Sequence, residues 1–539
     1  MAGEEYWSIV KMKEKDCRNI LVRGVNWIGD AVMTMPAIRT LKLTHPDARI
    51  TLLVKPWVSQ LFEKDPNVDE IILYSDTYHG LTGKFKLARE LRDHDFCMAI
   101  LLQNAFDAAF IAFLSGIPAR LGYNRDARRL LLTKAVPFDD HAKNLHHIEY
   151  YLDLVRKLGF SAKYERPWIY LSLEERLEAR DKLKSLGRPV VGINPGATFG
   201  SSKRWQPGRF AEVACRVISE MQGSAIIFGG PSEEQIAGEI EQRTLDLLSL
   251  TKRGSQEELN SSLITSHSLL NLAGETDIRG LISLISECDL LLTNDSGPMH
   301  IGYAVRTPVV AIFGSTSPEH TGPVGTGDIA IKKDLPCAPC FERECGKHDL
   351  KCMEMISSEE VFDAVKRRTN VKRAVFFDRD GTLCKDPGYL RRIEDFEVFP
   401  EVSSLAGLKE RGFSLIGISN QSGIARGLVD EEFVKRVNAI FLDTYGFEGF
   451  YYCPHHPDEH CPCRKPEPGL LLDARVDHNI NLKKSFVVGD KDADMLLARA
   501  VGATGILVRT GQDKVSTHAD FVLENLAEAV DLIMRNDRP

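Results

Sequence analysis

The sequence predicts an α/β protein made of several domains, each a parallel β-sheet covered by helices. Apolar segments of strand length alternate with amphipathic helical segments along the chain, an alternation typical of parallel sheets. The chain has 539 residues, more than one hydrophobic core usually holds, so about three or four domains are expected. A composition of 43% hydrophobic and 27% charged residues is that of a folded globular protein.

Changes of pattern along the chain place the domain boundaries. Residues 1–165 form the first predicted domain, in which the strand NILVR leads through GVNWIGD into a helix. Residues 166–355 form the second, whose strands include VVGINPG, AIIFGG and PVVAIFG. The segment 356–371 carries Ser and Glu at the spacing of a capping box and predicts a linker helix. The strand RAVFFD then opens a third domain, residues 372–539.

Charge and hydropathy exclude several classes of partner and compartment. The formal net charge is −8, with 68 basic and 76 acidic residues, so the chain has no overall basic field and no nucleic-acid partner is expected. No apolar segment reaches the roughly 18 residues needed to span a bilayer. The N-terminus has no apolar signal core, so we expect a cytoplasmic protein whose 12 cysteines are thiols or metal ligands.

The sharpest chemical signal lies in the third domain. Its first strand ends in Asp378 and Asp380, at the sheet edge where open α/β folds bind ligands. One carboxylate can attack a phosphate while the other handles the proton. Asp490 and Asp494 follow a later strand and offer the oxygen ligands that Mg²⁺ prefers. The sequence therefore predicts a magnesium-dependent phosphoryl-transfer site.

Two further motifs fit the same chemistry. The hydroxyl of Ser419 and the amide of Asn420 follow the strand LIGI and can bind phosphate, while the ammonium of Lys465 can neutralise charge in the transition state. The competing interpretation, that the acids are turn residues or helix caps, applies to any one of them. It is much weaker for four separated motifs together.

A cysteine- and histidine-rich loop directly precedes Arg464 and Lys465 and predicts a structural zinc site. Three sulfurs and one imidazole suit tetrahedral Zn²⁺. The candidate ligands are Cys453, His455, Cys461 and Cys463. Bound metal would fix the loop that aims the two cations. His456 and His460 lie close enough to compete as ligands, and a reduced cysteine loop without metal is the alternative.

The third domain resembles the haloacid dehalogenase-like phosphatases over about residues 372–512. The strings FDRDGTL, SNQSGIARG, YYCPHHP, CPCRKPEPG and VVGDKDADM carry the resemblance and narrow it to the heptose 1,7-bisphosphate 7-phosphatases. The resemblance implies that Asp378 is a nucleophile forming an aspartyl-phosphate and that Asp380 is the general acid and base. It also implies that Ser419 and Lys465 hold the phosphate.

The same resemblance implies the metal and substrate contacts. Asp378, Asp380 and Asp490 would bind Mg²⁺, and Arg464 and Lys491 would contact the substrate. Histidinol-phosphate phosphatases share this kind of zinc loop, so a histidinol-phosphate phosphatase is the alternative. The short spacer between His455 and Cys461 leaves the preferred sugar anomer open.

The signal in residues 19–355 is distributed over several loops. Asp30 lies between a glycine-containing loop and a helix, where it is either a functional acid or an N-cap. Lys203 follows the strand-end loop NPGA, and the loop NDSGPMH opens a helix whose N-terminus suits a diphosphate. Neither loop contains GxGxxG or GxxxxGK[ST], which argues against a dinucleotide or P-loop site.

These two domains resemble the glycosyltransferases of family 9, the heptosyltransferases that use ADP-heptose. The strings VRGVNWIGDAVMTMPAIRTL, NPGATFGSSKRWQPGRFAEVA and LLTNDSGPMHIGYAVRTPVVAIFG carry the resemblance, and KRW favours heptosyltransferase II over I. It implies the GT-B fold, inversion without a required metal, Asp30 as general base and Lys203 against the departing ADP. The residues it implies for the donor site are Asp295, Ser296, Gly297 and His300.

Taken together, the resemblances predict a bifunctional enzyme of lipopolysaccharide inner-core synthesis. The implied partners are ADP-heptose, a heptosyl-Kdo-lipid A acceptor and heptose 1,7-bisphosphate, with peripheral contact at the inner face of the cytoplasmic membrane. The two reactions are not consecutive in the implied pathway, so channelling between them is not expected. The alternatives are a histidinol-phosphate phosphatase fused to a transferase of other sugar specificity, or a scaffold with a degenerate transferase half.

A second cysteine group, spaced CxxC-x4-C-x6-C, ends the second domain. Its members are Cys337, Cys340, Cys345 and Cys352. A metal site, a redox site and a reduced loop all fit this spacing, and no four-ligand spacing within it is diagnostic. Residues 1–18 precede the first resemblance and receive no role.

Overall fold

The computed structural model describes residues 17–252 and 268–536, which form two compact units. The first unit takes in residues up to 172, residues 185–324 and residues 328–362. The second unit takes in residues 173–184, residues 325–327 and the chain from residue 363 onward. The predicted boundaries at 165/166, 355/356 and 371/372 stay predictions, and a helix at Ser358–Thr369 lies within the predicted linker.

The first unit contains two sheets of six parallel strands each. In the first sheet the order is β3-β2-β1-β4-β5-β6. The chain adds β2 and β3 on one side of β1, and then β4, β5 and β6 on the other side, so the direction of the connections reverses between β1 and β4. Ligands bind at such a switch point, beyond the carboxyl ends of the strands. Its strands are β1 (Asn19–Arg23), β2 (Arg49–Val54), β3 (Glu70–Leu73), β4 (Met98–Leu101), β5 (Ala119–Tyr123) and β6 (Lys134–Val136).

Seven helices lie between β1 and the first strand of the second sheet along the described chain, and six of them belong to the first unit. They are α1 (Ile28–Thr44), α2 (Pro56–Ser59), α3 (Gly80–Arg92), α4 (Phe106–Leu114), α5 (Asp140–Asn144), α6 (His147–Leu158) and α7 (Leu173–Lys182). Helix α7 belongs to the second unit, where Arg180 donates to the carbonyls of Arg499 and Ala500. Carbonyls at the end of a helix lack partners within it, so a cation there is stabilising.

The second sheet has the order β12-β11-β10-β7-β8-β9, with β7 and β10 at its centre. Its strands are β7 (Val190–Asn194), β8 (Ser224–Ile227), β9 (Leu269–Asn271), β10 (Leu290–Asn294), β11 (Val309–Ile312) and β12 (Ile329–Ile331). The helices that follow along the chain are α8 (Pro207–Met221), α9 (Glu234–Lys252), α10 (Ile278–Glu287), α11 (Gly297–Ala304), α12 (Pro318–Thr321), α13 (Lys351–Glu354) and α14 (Ser358–Thr369).

The second unit contains the third sheet, also parallel, in the order β15-β14-β13-β16-β17-β18. Its strands are β13 (Arg373–Asp378), β14 (Phe413–Asn420), β15 (Gly449–Cys453), β16 (Phe486–Gly489), β17 (Thr504–Val508) and β18 (Phe521–Leu523). Its helices are α15 (Ala406–Glu410), α16 (Glu431–Tyr445), α17 (Gly469–His478), α18 (Asp492–Val501) and α19 (Leu526–Asn536). The predicted α/β class is confirmed.

The expectation that every cysteine is a thiol or metal ligand is wrong for one pair. Cys17 and Cys97 form a disulfide, with their Cα atoms 5.7 Å apart. Each cysteine lies directly before or near the start of a central strand, β1 and β4, and these two strands pair. The pairing therefore brings together residues that are 80 positions apart in sequence. The other ten cysteines are not part of a disulfide.

Within the described part of the chain, no helix combines the length and the apolar character needed to cross a bilayer.

Candidate active sites

The carboxyl ends of β13, β14 and β16 assemble the predicted phosphoryl-transfer site. Asp378 is the last residue of β13 and pairs in register with Ile418, one position before Ser419. Asp490 directly follows β16, which pairs with β13 on its other side. Because three adjacent parallel strands end at the same edge, residues that are more than a hundred positions apart meet there.

Three buried carboxylates of this site can hold a metal ion. One oxygen from each of Asp378, Asp490 and Asp494 lies within 4.8 Å of the others. Oδ1 of Asp490 is buried without a hydrogen-bond partner, and such an orphaned acceptor fits a cation. The residues present therefore fit Mg²⁺.

Lys465 neutralises part of this charge. Its Nζ lies 2.6 Å from Oδ1 of Asp378 and 2.7 Å from Oδ1 of Asp494, and all three side chains are almost fully buried. Burial acts to raise the pKa of Asp378, but the ammonium of Lys465 holds that pKa below its ordinary value. Burial acts to lower the pKa of Lys465, but Asp378 and Asp494 raise it overall. Asp378 is therefore ionised and available as a nucleophile.

Mg²⁺ binding at this cluster is expected to weaken as the pH falls below about 8. Burial and the neighbouring charge of Asp378 raise the pKa of Asp490 to about 8, so a proton must leave before this carboxylate binds a cation. The apparent dissociation constant should rise by up to about tenfold for each pH unit below that value. Calorimetric titration with Mg²⁺ across a pH series measures this dissociation constant. A constant affinity from pH 6 to 9, over which the proton concentration changes by roughly three decades, would contradict the expectation.

Asp380 points to a different set of partners. Arg379 donates to both of its carboxylate oxygens at 3.0 Å, and Nε2 of Gln421 donates to Oδ2 at 2.8 Å. Gln421 also donates to Oγ of Ser419 at 2.7 Å. The carboxylate that lies close to those of Asp378 and Asp490 is that of Asp494. The role of Asp380 as a Mg²⁺ ligand stays a prediction.

Sequence reasoning missed Arg379 and Gln421. Arg379 is almost fully buried and also donates to Oδ1 of Asn438 at 3.0 Å. A buried arginine needs such partners, and its position between Asp378 and Asp380 was the only available signal. Gln421 stands two residues after Ser419 and is the first residue beyond the end of β14.

The remaining predicted substrate contacts lie around the same edge. Asn420 accepts from the backbone N–H of Lys465 at 3.1 Å and donates to its carbonyl at 3.2 Å, so it holds the Lys465 loop. Nζ of Lys491 lies 3.6 Å from Asp386 and 3.9 Å from Asp490. Nη1 of Arg464 is buried and has no hydrogen-bond partner among the described residues.

The predicted zinc ligands come together. Sγ of Cys453 lies 3.4 Å from Sγ of Cys461, and Nδ1 of His455 lies 3.2 Å from Sγ of Cys463. All four ligand atoms lie within 4.8 Å of one another, close to the edge of about 3.8 Å that a tetrahedral zinc–sulfur site would have. His456 instead caps a short helical turn at Asp458, so its side chain serves another purpose. The residues fit Zn²⁺.

The second cysteine group does not form such a site. Over residues 17–252 and 268–536, only the two clusters described above bring three or more ligand atoms close enough for a metal ion. Cys345 accepts hydrogen bonds from several backbone N–H groups, which lower the pKa of its thiol, and the N–H of Leu350 has the largest effect. Cys337, Cys340 and Cys352 stand in the same segment without closing around an ion.

In the first unit, Asp30 lies in the first turn of α1, just beyond the carboxyl end of β1. The helix starts at Ile28 with Trp27 at the N-cap, so the interpretation of Asp30 as the N-cap is wrong. Oδ1 of Asp30 lies 3.6 Å from Nδ1 of His147, and the Asp30 side chain is about one-third exposed. Asp30 is therefore open to a ligand, with an imidazole beside it.

The start of α1 meets the start of α11. A Cβ atom at Gly29 would stand 2.7 Å from Cδ2 of His300, so only glycine permits this close approach. Nδ1 of His300 lies 2.9 Å from the hydroxyl of Tyr303. Burial lowers the pKa of His300 to about 4, so the ring is neutral at neutral pH. The predicted base, Asp30, and the predicted donor residue His300 therefore lie on helix ends that contact each other.

The loops after β7 and β10 hold each other. Nδ2 of Asn194 donates to Oγ of Ser296 at 3.2 Å, next to Gly297 at the start of α11. Nζ of Lys203 lies 2.6 Å from Oδ2 of Asp295, and both side chains are largely buried. The structure therefore brings Lys203 and the predicted donor residues together, with Lys203 paired to an acid.

A cavity of about 240 Å³ opens beside these loops. It is lined by Gly196, Arg204, Pro207, Ser232, Glu233, Gln235, Ile236 and Glu239. A Cβ atom at Gly196 would fall on the carboxylate of Glu233, which explains the glycine. Sequence reasoning missed Ser232 and Glu233, whose signal was a third strand-end loop, GGPSEE, after β8.

Comparison with known proteins adds two families. The glycosyltransferase family 9 (heptosyltransferase) model matches residues 84–351, and a HAD-hydrolase-like model matches residues 462–529. The lipopolysaccharide heptosyltransferase 2 of Salmonella typhimurium is 32% identical over 315 residues, which cover 57% of this chain and 85% of that protein. The D-glycero-beta-D-manno-heptose-1,7-bisphosphate 7-phosphatase of Photorhabdus laumondii is 41% identical over 173 residues, which cover 29% of this chain and 92% of that protein.

A solved structure agrees with the first match. The ADP-heptose lipopolysaccharide heptosyltransferase II of Escherichia coli superposes with a TM-score of 0.53 at 27% identity, covering 65% of this chain and 98% of that one. The predicted GT-B transferase fold followed by a haloacid dehalogenase-like domain is confirmed. This chain belongs to the family 9 heptosyltransferases through its N-terminal two-thirds and to the HAD-like heptose bisphosphate phosphatases through its C-terminal third.

Proposed function

We propose that this chain serves lipopolysaccharide inner-core synthesis twice. Its first unit transfers heptose from ADP-heptose to a heptosyl-Kdo-lipid A acceptor, and its second unit removes the 7-phosphate of D-glycero-D-manno-heptose 1,7-bisphosphate. Relatives named for these two activities each align over at least 85% of their own length. The observation that carries the phosphatase half is the buried contact of Lys465 with both Asp378 and Asp494.

The phosphatase reaction begins at the ionised carboxylate of Asp378. This oxygen attacks phosphorus, the bond between phosphorus and the sugar oxygen breaks, and Asp380, protonated at this step, donates its proton to the departing sugar oxygen, which becomes a hydroxyl. A water molecule then gives its proton to Asp380 and hydrolyses the aspartyl-phosphate. Ser419 and Lys465 hold the phosphate oxygens, and Mg²⁺ bound at Asp378 and Asp490 would supply charge neutralisation.

The zinc loop supports this half of the chain. The four ligands end at Cys463, directly before Arg464 and Lys465, so bound Zn²⁺ would set where these two cations point. Asn420 holds the other side of the same loop through the backbone of Lys465. We therefore assign the zinc ion a structural role.

Replacing Cys461 by serine is expected to remove bound zinc and lower phosphate release by roughly 10-fold or more, because the Lys465 loop loses its support. Metal content by mass spectrometry and phosphate release measure the two effects. Cys215→Ser, at a buried free cysteine on α8, is the matched control and should keep both zinc and activity. Full activity of a zinc-free Cys461→Ser protein would refute the structural role.

The transferase reaction uses the meeting point of α1 and α11. Asp30 takes a proton from the acceptor hydroxyl, whose oxygen attacks the anomeric carbon of the donor heptose as the bond to ADP breaks. The N-terminus of α11 and the ammonium of Lys203 stabilise the departing diphosphate. Lys203 is now paired with Asp295, so this pair holds the cation in place before the donor arrives.

The acceptor preference tests the transferase half. Purified protein is given labelled ADP-heptose with either Kdo-lipid A or heptosyl-Kdo-lipid A, and labelled lipid is counted. We expect transfer to the acceptor that already carries heptose. Equal or preferred transfer to the acceptor without heptose would contradict a heptosyltransferase II activity.

We further propose that the protein works at the inner face of the cytoplasmic membrane, as a peripheral protein. The proposed acceptor is a lipid whose acyl chains stay in the bilayer, so its sugar must be reached from the membrane surface.

A further inference from the structure

The outer faces of α3 and α4 expose large apolar side chains next to one another. Leu81 and Phe85 on α3 are 67% and 56% exposed, and Phe106 and Phe113 on α4 are 47% and 48% exposed. Phe110 lies between them, half-buried. Soluble proteins seldom leave several large apolar side chains together at the surface without an interaction to serve.

These side chains form one patch. The ring of Phe110 meets that of Phe85 edge-on at 6.5 Å and stacks with that of Phe106 at 6.0 Å. Residues 106, 110 and 113 stand on one face of α4 by the helical repeat. We call the five residues Leu81, Phe85, Phe106, Phe110 and Phe113 the α3–α4 patch.

The patch is separate from the hydrophobic core. The inner faces of the two helices supply Leu87, Leu91, Ala109 and Ala112 to the buried cluster under the first sheet. Core packing therefore explains the inner faces of both helices and leaves the outer aromatic side chains without a packing role.

Several basic side chains lie on α3 and beside Phe113. Helix α3 alone carries Lys84, Lys86, Arg89 and Arg92 against the single acid Glu90, although the whole chain has a net charge of −8. The guanidinium of Arg120 lies 5.4 Å from the ring centre of Phe113. The acid Asp107 on α4 is already matched by Lys84, 3.7 Å away. The surface around the apolar side chains is therefore locally positive.

The patch begins at the edge of the sheet that carries Asp30. Helices α3 and α4 start after the carboxyl ends of β3 and β4, and α1 starts after the carboxyl end of β1. All these strands are parallel, so Leu81, Phe106 and Asp30 stand at the same edge. A surface docked through the patch would bring its head groups toward that edge.

We infer that the α3–α4 patch docks the protein on a bilayer containing anionic lipids. Aromatic and aliphatic side chains with interspersed Lys and Arg are the combination that inserts shallowly at the head-group boundary of such membranes. The inference rests on the proposed function, because a lipid acceptor requires access to the membrane surface. It adds the surface and the lipid charge that the proposed function leaves open.

Vesicle flotation of the full-length protein, without any sugar substrate, tests the inference. We expect the wild type to float with vesicles of phosphatidylglycerol and phosphatidylcholine and to stay behind with phosphatidylcholine alone. Leu81→Ser with Phe85→Ser should lower the bound fraction by roughly tenfold, since two apolar side chains no longer insert. Lys86→Gln with Arg89→Gln should lower the bound fraction by about fivefold or more for each charge removed. Added salt should also lower the bound fraction of the wild type, because it screens the attraction between these cations and the anionic lipids.

Leu250→Ser is the matched control. Leu250 on α9 is 62% exposed, similar to Leu81, but lies outside the patch, so its variant should float as the wild type does. Cooperative melting and a circular dichroism spectrum equal to that of the wild type show that each variant is folded. The charge variants serve as the test if the apolar variants fail to fold.

Three results would overturn the inference. They are failure of the wild type to float with anionic vesicles, unchanged flotation of both patch variants, and dissociation of a wild-type oligomer by the patch variants without any vesicle binding. The last would make the patch an interface between copies of this chain. Failure of heptosyl transfer in detergent, with vesicle binding intact, would count against the proposed function but not against membrane docking through the patch.

Discussion

Asp378→Asn is expected to lower phosphate release by at least about 10⁴-fold while heptosyl transfer continues at the wild-type rate. The amide is a poor nucleophile and can no longer form an aspartyl-phosphate. It also removes the charge that pairs with Lys465 at 2.6 Å. Phosphate release and label transfer from ADP-heptose, measured on the same preparation, check both parts.

A matched control separates chemistry from folding. Asp531→Asn changes an exposed acid on α19 in the same unit, so both activities should persist. Thermal melting of Asp378→Asn shows whether the unit is still folded. Substantial phosphate release by a folded Asp378→Asn protein would show that Asp378 is not the nucleophile.

Asp30→Asn is expected to lower heptosyl transfer by roughly 10²–10⁴-fold, with phosphate release unchanged. The amide keeps the shape of the side chain but cannot take the proton of the acceptor hydroxyl. His147, 3.6 Å from Asp30, remains in place and does not restore the missing carboxylate. Initial rates at saturating ADP-heptose measure the effect on the chemical step.

Asp140→Asn is the control for this variant. Asp140 is also in the first turn of a helix of the first unit, where it pairs with Lys143 at 2.7 Å on an exposed surface. Such exposed pairs contribute little, so transfer should be unaffected. A wild-type transfer rate in Asp30→Asn would exclude Asp30 as the general base.

The parts of the sites that follow from local sequence were predictable. Asp378 ends a strand of six largely apolar residues, and a carboxylate at that position faces the ligand edge of any parallel sheet. The predicted zinc ligands Cys453, His455, Cys461 and Cys463 lie within eleven residues, so a short segment of chain brings the cluster together. In both cases the geometry depends on one short segment of chain.

Other parts depend on pairings that no local pattern specifies. The three-carboxylate cluster forms only because β13 lies between β14 and β16, an order that the sequence does not state. The Cys17–Cys97 disulfide likewise requires the pairing of β1 with β4. The turn of Asp380 toward Arg379 and Gln421 depends on side-chain packing in the assembled site.

The first turn of α1 shows how a local rule can mislead. Aspartate is favoured at N-caps, and this made an N-cap a reasonable interpretation of Asp30. The helix begins two residues earlier, after Trp27, and Gly29 in its first turn lies in close contact with His300. Asp30 therefore lies within the first turn, with its side chain about one-third exposed.

The central claim is that one chain carries two activities toward the same sugar, heptose. Phosphate release by the purified protein with Mg²⁺, compared between D-glycero-D-manno-heptose 1,7-bisphosphate and histidinol phosphate, tests it most directly. We predict a strong preference for the heptose bisphosphate that disappears in Asp378→Asn. A preference for histidinol phosphate would contradict the claim and would remove the shared sugar that connects the two halves.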